Sequence, residues 1–180
     1  MMTLDGFFEG PKQQLDWHNV DKEFHEFAAN QLNTVDTLLF GRITYQMMAS
    51  FWPTAIESDP IIANKMNSLS KLVVSRTLST VEWNNSRLLK GNLAEEISKL
   101  KRQPGKDIAL LGSAVVLSTL MEADLIDEHR IMINPIVLGD GNPLFKKMER
   151  KHKLKLLRTR TFKSGNVLLF YQPEKKNSAA

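Results

Sequence analysis

Apolar residues recur along this chain in two alternating rhythms. Val20, Phe24, Phe27 and Ala28 fall on a helical stripe, with Gln31 its one polar interruption. That spacing predicts a helix over roughly 20–33, with Asn19 or Asp21 as its cap. Thr37-Leu38-Leu39-Phe40 is a short continuous apolar run of the buried-strand kind, ended by Gly41. Ile43 to Phe51 predicts a second helix, and Lys71 to Ser75 a second strand. Leu93, Ile97 and Leu100 space a helix that stops before Pro104-Gly105. Ile108 to Leu111 predicts a strand, Gly112 a turn, and Ala114 to Glu122 a helix capped by Ser113. Arg130 to Ile133 is a further strand, ending before Pro135. Such alternation predicts an α/β domain with a mostly parallel central sheet and flanking helices.

The C-terminal part has another rhythm. Lys153 to Phe162 and Val167 to Gln172 are strand patterns around Ser164-Gly165-Asn166, which is hairpin chemistry. The consecutive pair Leu156-Leu157 breaks the alternation of the first strand and predicts a β-bulge. The expected fold is therefore a parallel sheet finished by an antiparallel β-hairpin. One domain is expected over 1–173, with a disordered tail over 174–180.

Composition narrows the function. The chain has 180 residues, 42% of them apolar and 24% charged, ordinary values for one globular domain. It has no cysteine, which removes disulfides, thiol catalysis and thiolate metal sites. No apolar run approaches the ~20 residues of a membrane helix, and residues 1–12 lack a secretory pattern. A cytoplasmic protein is expected, without membrane partners. The four histidines, 18, 25, 129 and 152, have no metal-ligand spacing, so no metal is expected.

The net charge of +4 is uneven: residues 146–163 hold nine Lys/Arg against Glu149 alone. A nucleic-acid patch is one reading. A solvated edge-strand face is the favoured one, because Phe162 is the sole aromatic residue of that span and none is interleaved among the other basic positions for base stacking.

Three strand ends carry the candidate chemistry. At Gly41-Arg42-Ile43-Thr44, a glycine turn leads into a helix whose free amides suit phosphate, with a guanidinium and a hydroxyl beside them. At Ser75-Arg76-Thr77, two hydroxyls and a guanidinium suit a phosphate monoester such as the 2′-phosphate of NADP. At Gly112-Ser113-Ala114-Val115, glycine allows close backbone approach and the next helix presents amides. Ligands of open α/β sheets bind beyond the carboxyl ends of strands, where all three lie.

Motifs along nearly the whole chain carry a resemblance. In order they are Thr3-Leu4-Asp5-Gly6, Asp16-Trp17, Gly41-Arg42-Ile43-Thr44-Tyr45, Val74-Ser75-Arg76, Gly112-Ser113-Ala114, Leu125-Ile126-Asp127-Glu128, Asn134-Pro135 and 139–145. The chain resembles the dihydrofolate reductase-like superfamily, and within it the reductase domain of the bacterial bifunctional riboflavin-biosynthesis deaminase-reductase. The resemblance implies an NADPH-dependent reductase of a small heterocyclic or sugar-like substrate, and a homodimer. It places cofactor phosphate on Gly41, Arg42 and Thr44, the 2′-phosphate on Ser75 and Arg76, and the pyrophosphate on Gly112, Ser113 and Ala114. It also places the nicotinamide under the loop from Asp5 to Trp17; within that loop Phe7, Phe8 and Trp17 read either as a water-excluding cover or as ordinary core packing.

Three departures accompany it. Only Met1 to Leu4 precede the Asp-Gly turn, so the first strand is expected to be truncated and to continue upstream. Leu111-Gly112-Ser113 stands where biosynthetic members commonly carry an acid and two glycines, which leaves the riboflavin substrate open. The deaminase domain is absent from this sequence.

Three residues compete as proton donor: Asp21, His25 and His18. Each also has a structural reading, Asp21 as a helix cap and the histidines as ordinary surface or loop residues. The alternative to a reductase is a non-catalytic dinucleotide-binding module or ligand sensor.

Overall fold

In the computed structural model, which describes residues 1–146 and 148–174, the elements run in this order. The first half holds β1 (Phe7–Glu9), α1 (Lys22–Leu32), β2 (Val35–Gly41), α2 (Arg42–Phe51), α3 (Pro60–Ser68), β3 (Ser70–Val74) and β4 (Ser86–Leu89). The second holds α4 (Leu93–Lys101), β5 (Asp107–Leu110), α5 (Ala114–Glu122), β6 (His129–Ile133), β7 (Asn142–Pro143), β8 (Leu154–Thr161) and β9 (Val167–Pro173). Of the tail expected to be disordered, all but Glu174 lies outside the described residues, as does Lys147 of the basic run.

Four strands pair in parallel in the order β4-β3-β2-β5. Alternation along β2 sends Leu38 and Phe40 to one face and Leu39 to the other. Leu38 and Phe40 join Tyr45, Ile62, Met66 and Trp83 under α1, α2 and α3. Leu39 joins Leu72, Ile97, Val116 and Leu120 under α4 and α5. A strand covered on both faces needs a continuous apolar run, as the sequence pattern indicated.

The remaining long strands form an antiparallel sheet, β6-β9-β8. Its register slips between Leu156 and Arg158, at the expected bulge. Met2 bridges β6 in parallel, donating to Met132 O at 2.7 Å and accepting from Asn134 N at 2.7 Å. Between β5 and β6 the pairing is interrupted, and two helices span the interruption. The α1 residues Ala28, Ala29 and Leu32 pack on the parallel sheet, while Phe24 and Phe27 pack against Phe162 and Phe170 of the hairpin. On the other face α5 does the same, with Val116 and Leu120 on one sheet and Leu117 and Met121 against Met2 and Leu144. Arg130 of β6 adds polar links to Gln31 of α1 and Asp107 of β5.

Four elements escape the sequence pattern: the short antiparallel pair β1 and β7, helix α3 and strand β4. Helix α3 starts at Asp59, whose carboxylate accepts from Ile62 N at 3.1 Å, with Pro60 in the first turn. This is a cap followed by a pre-organised proline. Strand β4 is four residues long with a single buried residue, Leu89, too brief to show a period.

Three arginines of the basic run have partners within the fold. Arg150 pairs with Glu122 and Asp124, and Arg160 pairs with Glu23 at 2.9 Å. The Arg158 guanidinium lies 3.6 Å from the Phe170 ring centroid. The rest of β8 is an exposed sheet edge, as the edge-strand reading holds.

Lys71 is a different case, wholly buried at the start of β3. Its ammonium donates to the carbonyls of Asn67, Leu69 and Asn84 at 3.1, 2.7 and 3.0 Å, and sits 4.5 Å from the Trp83 ring centroid. Burial lowers its pKa to about 8, which still leaves the amine protonated at neutral pH. It ties the end of α3 to the loop before β4. We expect Lys71→Met to lower unfolding free energy by about 2 kcal/mol, the cost of stranding buried carbonyls less the relief of burying no charge. Urea denaturation checks this.

Candidate functional site

Parallel pairing brings the three candidate turns together. Gly41 at the end of β2 lies directly opposite Val74 at the end of β3. On the other side Leu39 is opposite Leu110, and Leu111 N donates to Leu39 O at 3.1 Å. Arg42, Ser75 and Gly112 therefore leave three neighbouring strands at one edge of the sheet.

The contact between the first and third turns is tight. A Cβ on Gly41 would lie 2.2 Å from Ser113 Oγ, and one on Gly112 would lie 3.1 Å from Thr44 Oγ1. Gly112 has φ +67°, and Ser113 follows in the left-handed region at φ 63°. For serine this conformation costs of order 1 kcal/mol. Its hydroxyl then caps α5, accepting from Val116 N at 3.4 Å. Ala114 is buried at the base of this turn, and Val115 stands 69% exposed on its outer side.

Helix α2 opens on Gly41 with no side-chain cap and no acidic residue in its first turn. Its first amides therefore face the rim without a side chain competing for them, and the helix dipole favours an anion there. Arg42 reaches along the same helix to Gln46 Oε1 at 3.0 Å and is exposed. Ser75 organises its own loop, its hydroxyl accepting from Thr77 N at 3.2 Å and Leu78 N at 2.9 Å. That turn projects Arg76, exposed and with no hydrogen-bond or ion-pair partner among the described residues. A rim with bare amides, a backbone cradle and an unpaired guanidinium fits an extended polyanion.

The other expected residues lie on neighbouring segments. The Asp5 carboxylate accepts from Gly139 N at 2.8 Å and Leu138 N at 3.1 Å, so it braces its own turn against 138–139. The Thr3 hydroxyl and then these two amides hold its pKa below the usual carboxylate range. Phe8 packs half-buried with Met2, Leu117, Met121 and Leu144. Trp17 is half-buried, donates to Gln14 O at 3.2 Å and meets the His18 ring edge-on, centroids 4.4 Å apart.

The three proton-donor candidates are not equivalent. Asp21 caps α1, accepting from Phe24 N at 2.8 Å. His18 is held neutral: burial, then the nearby amine of Met1, lowers its pKa to about 4. His25 is the accessible one, with its Nδ1 2.9 Å from Asp59 Oδ2. Short connections return α1 into β2 and α3 into β3, so both helices start at the strand carboxyl ends. His25 and Asp59 thus belong to the same end of the molecule as the three turns. Sequence reasoning missed Asp59, although Asp-Pro before an apolar stretch is a helix-start signal that would have exposed it.

Comparison with known proteins agrees with this architecture. The family model described as the RibD C-terminal domain matches residues 1–168. Bacillus subtilis YyaP, an uncharacterized protein, is 38% identical over 176 residues, 94% of this chain and 90% of its own. A candidate riboflavin biosynthesis protein of Shewanella sp. PV-4 superposes with a TM-score of 0.75 at 27% identity, covering 97% of this chain and 96% of that one. Enterococcus faecalis dihydrofolate reductase, solved with NADP(H) and RAB-propyl, gives 0.65 at 16% identity over 97% and 93% of the two chains. The fold is dihydrofolate reductase-like.

The lowered pKa of His18 has a consequence for stability. Unfolded, the imidazole takes its proton near pH 6.5; folded, only near pH 4. The stabilisation from a neutral His18 is therefore complete above 6.5 and is lost as pH falls from there toward 4. Histidine NMR should show one imidazole titrating near pH 4, and His18→Gln should flatten the stability profile across that window.

Proposed function

This chain belongs to the RibD C-terminal domain family, and on that premise we propose that it is an NADPH-dependent reductase of a small heterocyclic or sugar-like molecule. The observation that carries the reading is the meeting of Gly41, Thr44, Gly112 and Ser113 in one cradle beside Arg76, which has no partner among the described residues. In this reading the α2 amides, Arg42 and Thr44 hold one cofactor phosphate. The turn from Gly112 to Val115 holds the pyrophosphate with backbone groups, and Arg76 meets the 2′-phosphate with Ser75 setting its loop.

The cofactor supplies the hydride. The protein contributes alignment, exclusion of water and a proton. The loop through Asp5, Phe8 and Trp17 is the cover in this reading. His25 handles the proton, with Asp59 holding its Nδ1 and leaving Nε2 to exchange it. Asp21 shapes the start of the same helix, and neutral His18 packs under Trp17.

We further read the protein as one cytoplasmic reductase domain that forms a homodimer. Among the described residues no helix is long and apolar enough to cross a membrane. Leu156 and Leu157 stand 47% and 43% exposed on the edge strand β8, apolar area that a second copy would cover. Light scattering should return twice the chain mass.

Titration of NADPH fluorescence is the primary test, followed by NADPH oxidation with dihydropterin and pyrimidine substrates. Tight binding without oxidation across such a panel would favour a sensor. Arg76→Ala should weaken NADPH by about 1–3 kcal/mol, the range of a charged hydrogen bond, while leaving NADH nearly unchanged. Equal weakening of both would refute the 2′-phosphate assignment. Gly41→Ala drives a methyl into Ser113 and should weaken both cofactors alike.

A further inference from the structure

One polar knot in the fold is left unused by the cofactor cradle. It centres on Asn19, in the loop between β1 and α1, and draws on segments more than a hundred residues away. Asn19 N donates to Asn134 Oδ1 at 2.9 Å. Its side-chain Nδ2 donates to Ser164 O at 2.9 Å, and its carbonyl accepts from Asn166 Nδ2 at 2.8 Å. Asn134 and Asn166 are wholly buried. Asn134 is also bonded through its backbone amide to Met2 O at 2.7 Å. The 164–166 turn is closed by Phe162 N donating to Asn166 O at 2.8 Å, and Gly165 packs on Pro135.

Asparagines buried this deeply cost folding energy unless their amides are used, so their placement needs a return. Here one group of each amide grips the main chain of one loop residue, Asn134 through Oδ1 and Asn166 through Nδ2, while Asn166 Oδ1 has no partner among the described residues. That residue follows Trp17 and His18 directly, and it precedes Asp21, the cap of α1. Loops fixed at one point by several buried hydrogen bonds keep that point still while the remainder moves.

We propose that Asn134 and Asn166 are positioning residues of the reductase site. Through Asn19 they hold Trp17 in place at the root of the nicotinamide cover, so the C-terminal hairpin turn is part of the active-site assembly. The proposal rests on the reductase reading for the word cover; the clamp itself rests on the hydrogen bonds alone.

Asn166→Asp is the sharp variant. With its carboxyl ionised it keeps the shape and removes the donor to Asn19 O, leaving an acceptor facing an acceptor. Ser164→Ala is the control, because Asn19 bonds the carbonyl of Ser164 and not its hydroxyl. Thermal unfolding first confirms that both variants fold; if Asn166→Asp does not, Asn166→Ser, which is smaller and uncharged, replaces it. Hydrogen exchange without cofactor should then accelerate by about tenfold at amides 15–19 in the Asn166 variant alone, the scale of one lost hydrogen bond. With NADPH bound, energy transfer from Trp17, isolated by subtraction of a Trp17→Phe background, should fall by more than half while the NADPH Kd moves less than about twofold. A role confined to stability would not separate these two readouts. Unchanged exchange in the Asn166 variant overturns the clamp. Accelerated exchange with unchanged Trp17 transfer overturns the positioning role. If wild-type protein binds no NADPH, the reductase reading falls and the positioning role falls with it, while the exchange measurement still decides the clamp.

Discussion

The double-sided burial of β2 is the constraint from which the site follows. Leu38, Leu39 and Phe40 are each at most 1% exposed, because helices cover both faces of the sheet. A strand so enclosed offers its backbone to neighbours on both edges and is open only at its ends. With parallel neighbours on each side, the three chains must all emerge at the same rim. The concentration of glycine, hydroxyl and guanidinium groups at that rim is a consequence of topology before it is a matter of chemistry.

The rim then has to be packed closely enough to act as one surface. Gly41 and Gly112 are where this is decided, since each leaves room for a side chain of the opposite turn. Gly112 adds a positive φ, and Ser113 takes a left-handed conformation that serine adopts at a cost. Local strain beside an uncapped helix start is a feature expected where a backbone is shaped to receive a ligand rather than to be as stable as possible. The bare start of α2 is consistent with that, whereas α1, α3, α4 and α5 all have side-chain caps.

Away from the rim, the molecule is held across the interruption between its two sheets. Helices α1 and α5 each bury one half of their apolar surface on the parallel sheet and the other half on the hairpin sheet. The hairpin is thereby tied to the strand ends, and Arg158 and Arg160 are drawn into an ion pair and ring contacts. That makes a polar knot such as the one around Asn19 meaningful, because its anchors Asn134 and Asn166 directly adjoin the packed strands β6 and β9. The histidines separate by the same logic. His18 is half-buried against the Trp17 ring and stays neutral, while His25 stands on an outer helix face beside a carboxylate.

Read along the chain alone, the periods of β2, β3, β5, α2, α4 and α5 were legible to within a residue or two, because each buries a regular set of positions. The bulge at Leu156-Leu157 was legible for the same reason, as a break in a period of two. Gly41, Arg76 and Gly112 were legible as turns at the ends of strands. What tertiary structure alone decided was adjacency. That Gly41 faces Ser113 across less than a methyl's width, that His25 meets Asp59, and that Asn19 is gripped from residues 134 and 166 depend on strand order and helix direction. Such contacts leave no trace in a local pattern, since the residues are tens to over a hundred positions apart and the free energy that joins them is collected by the whole core.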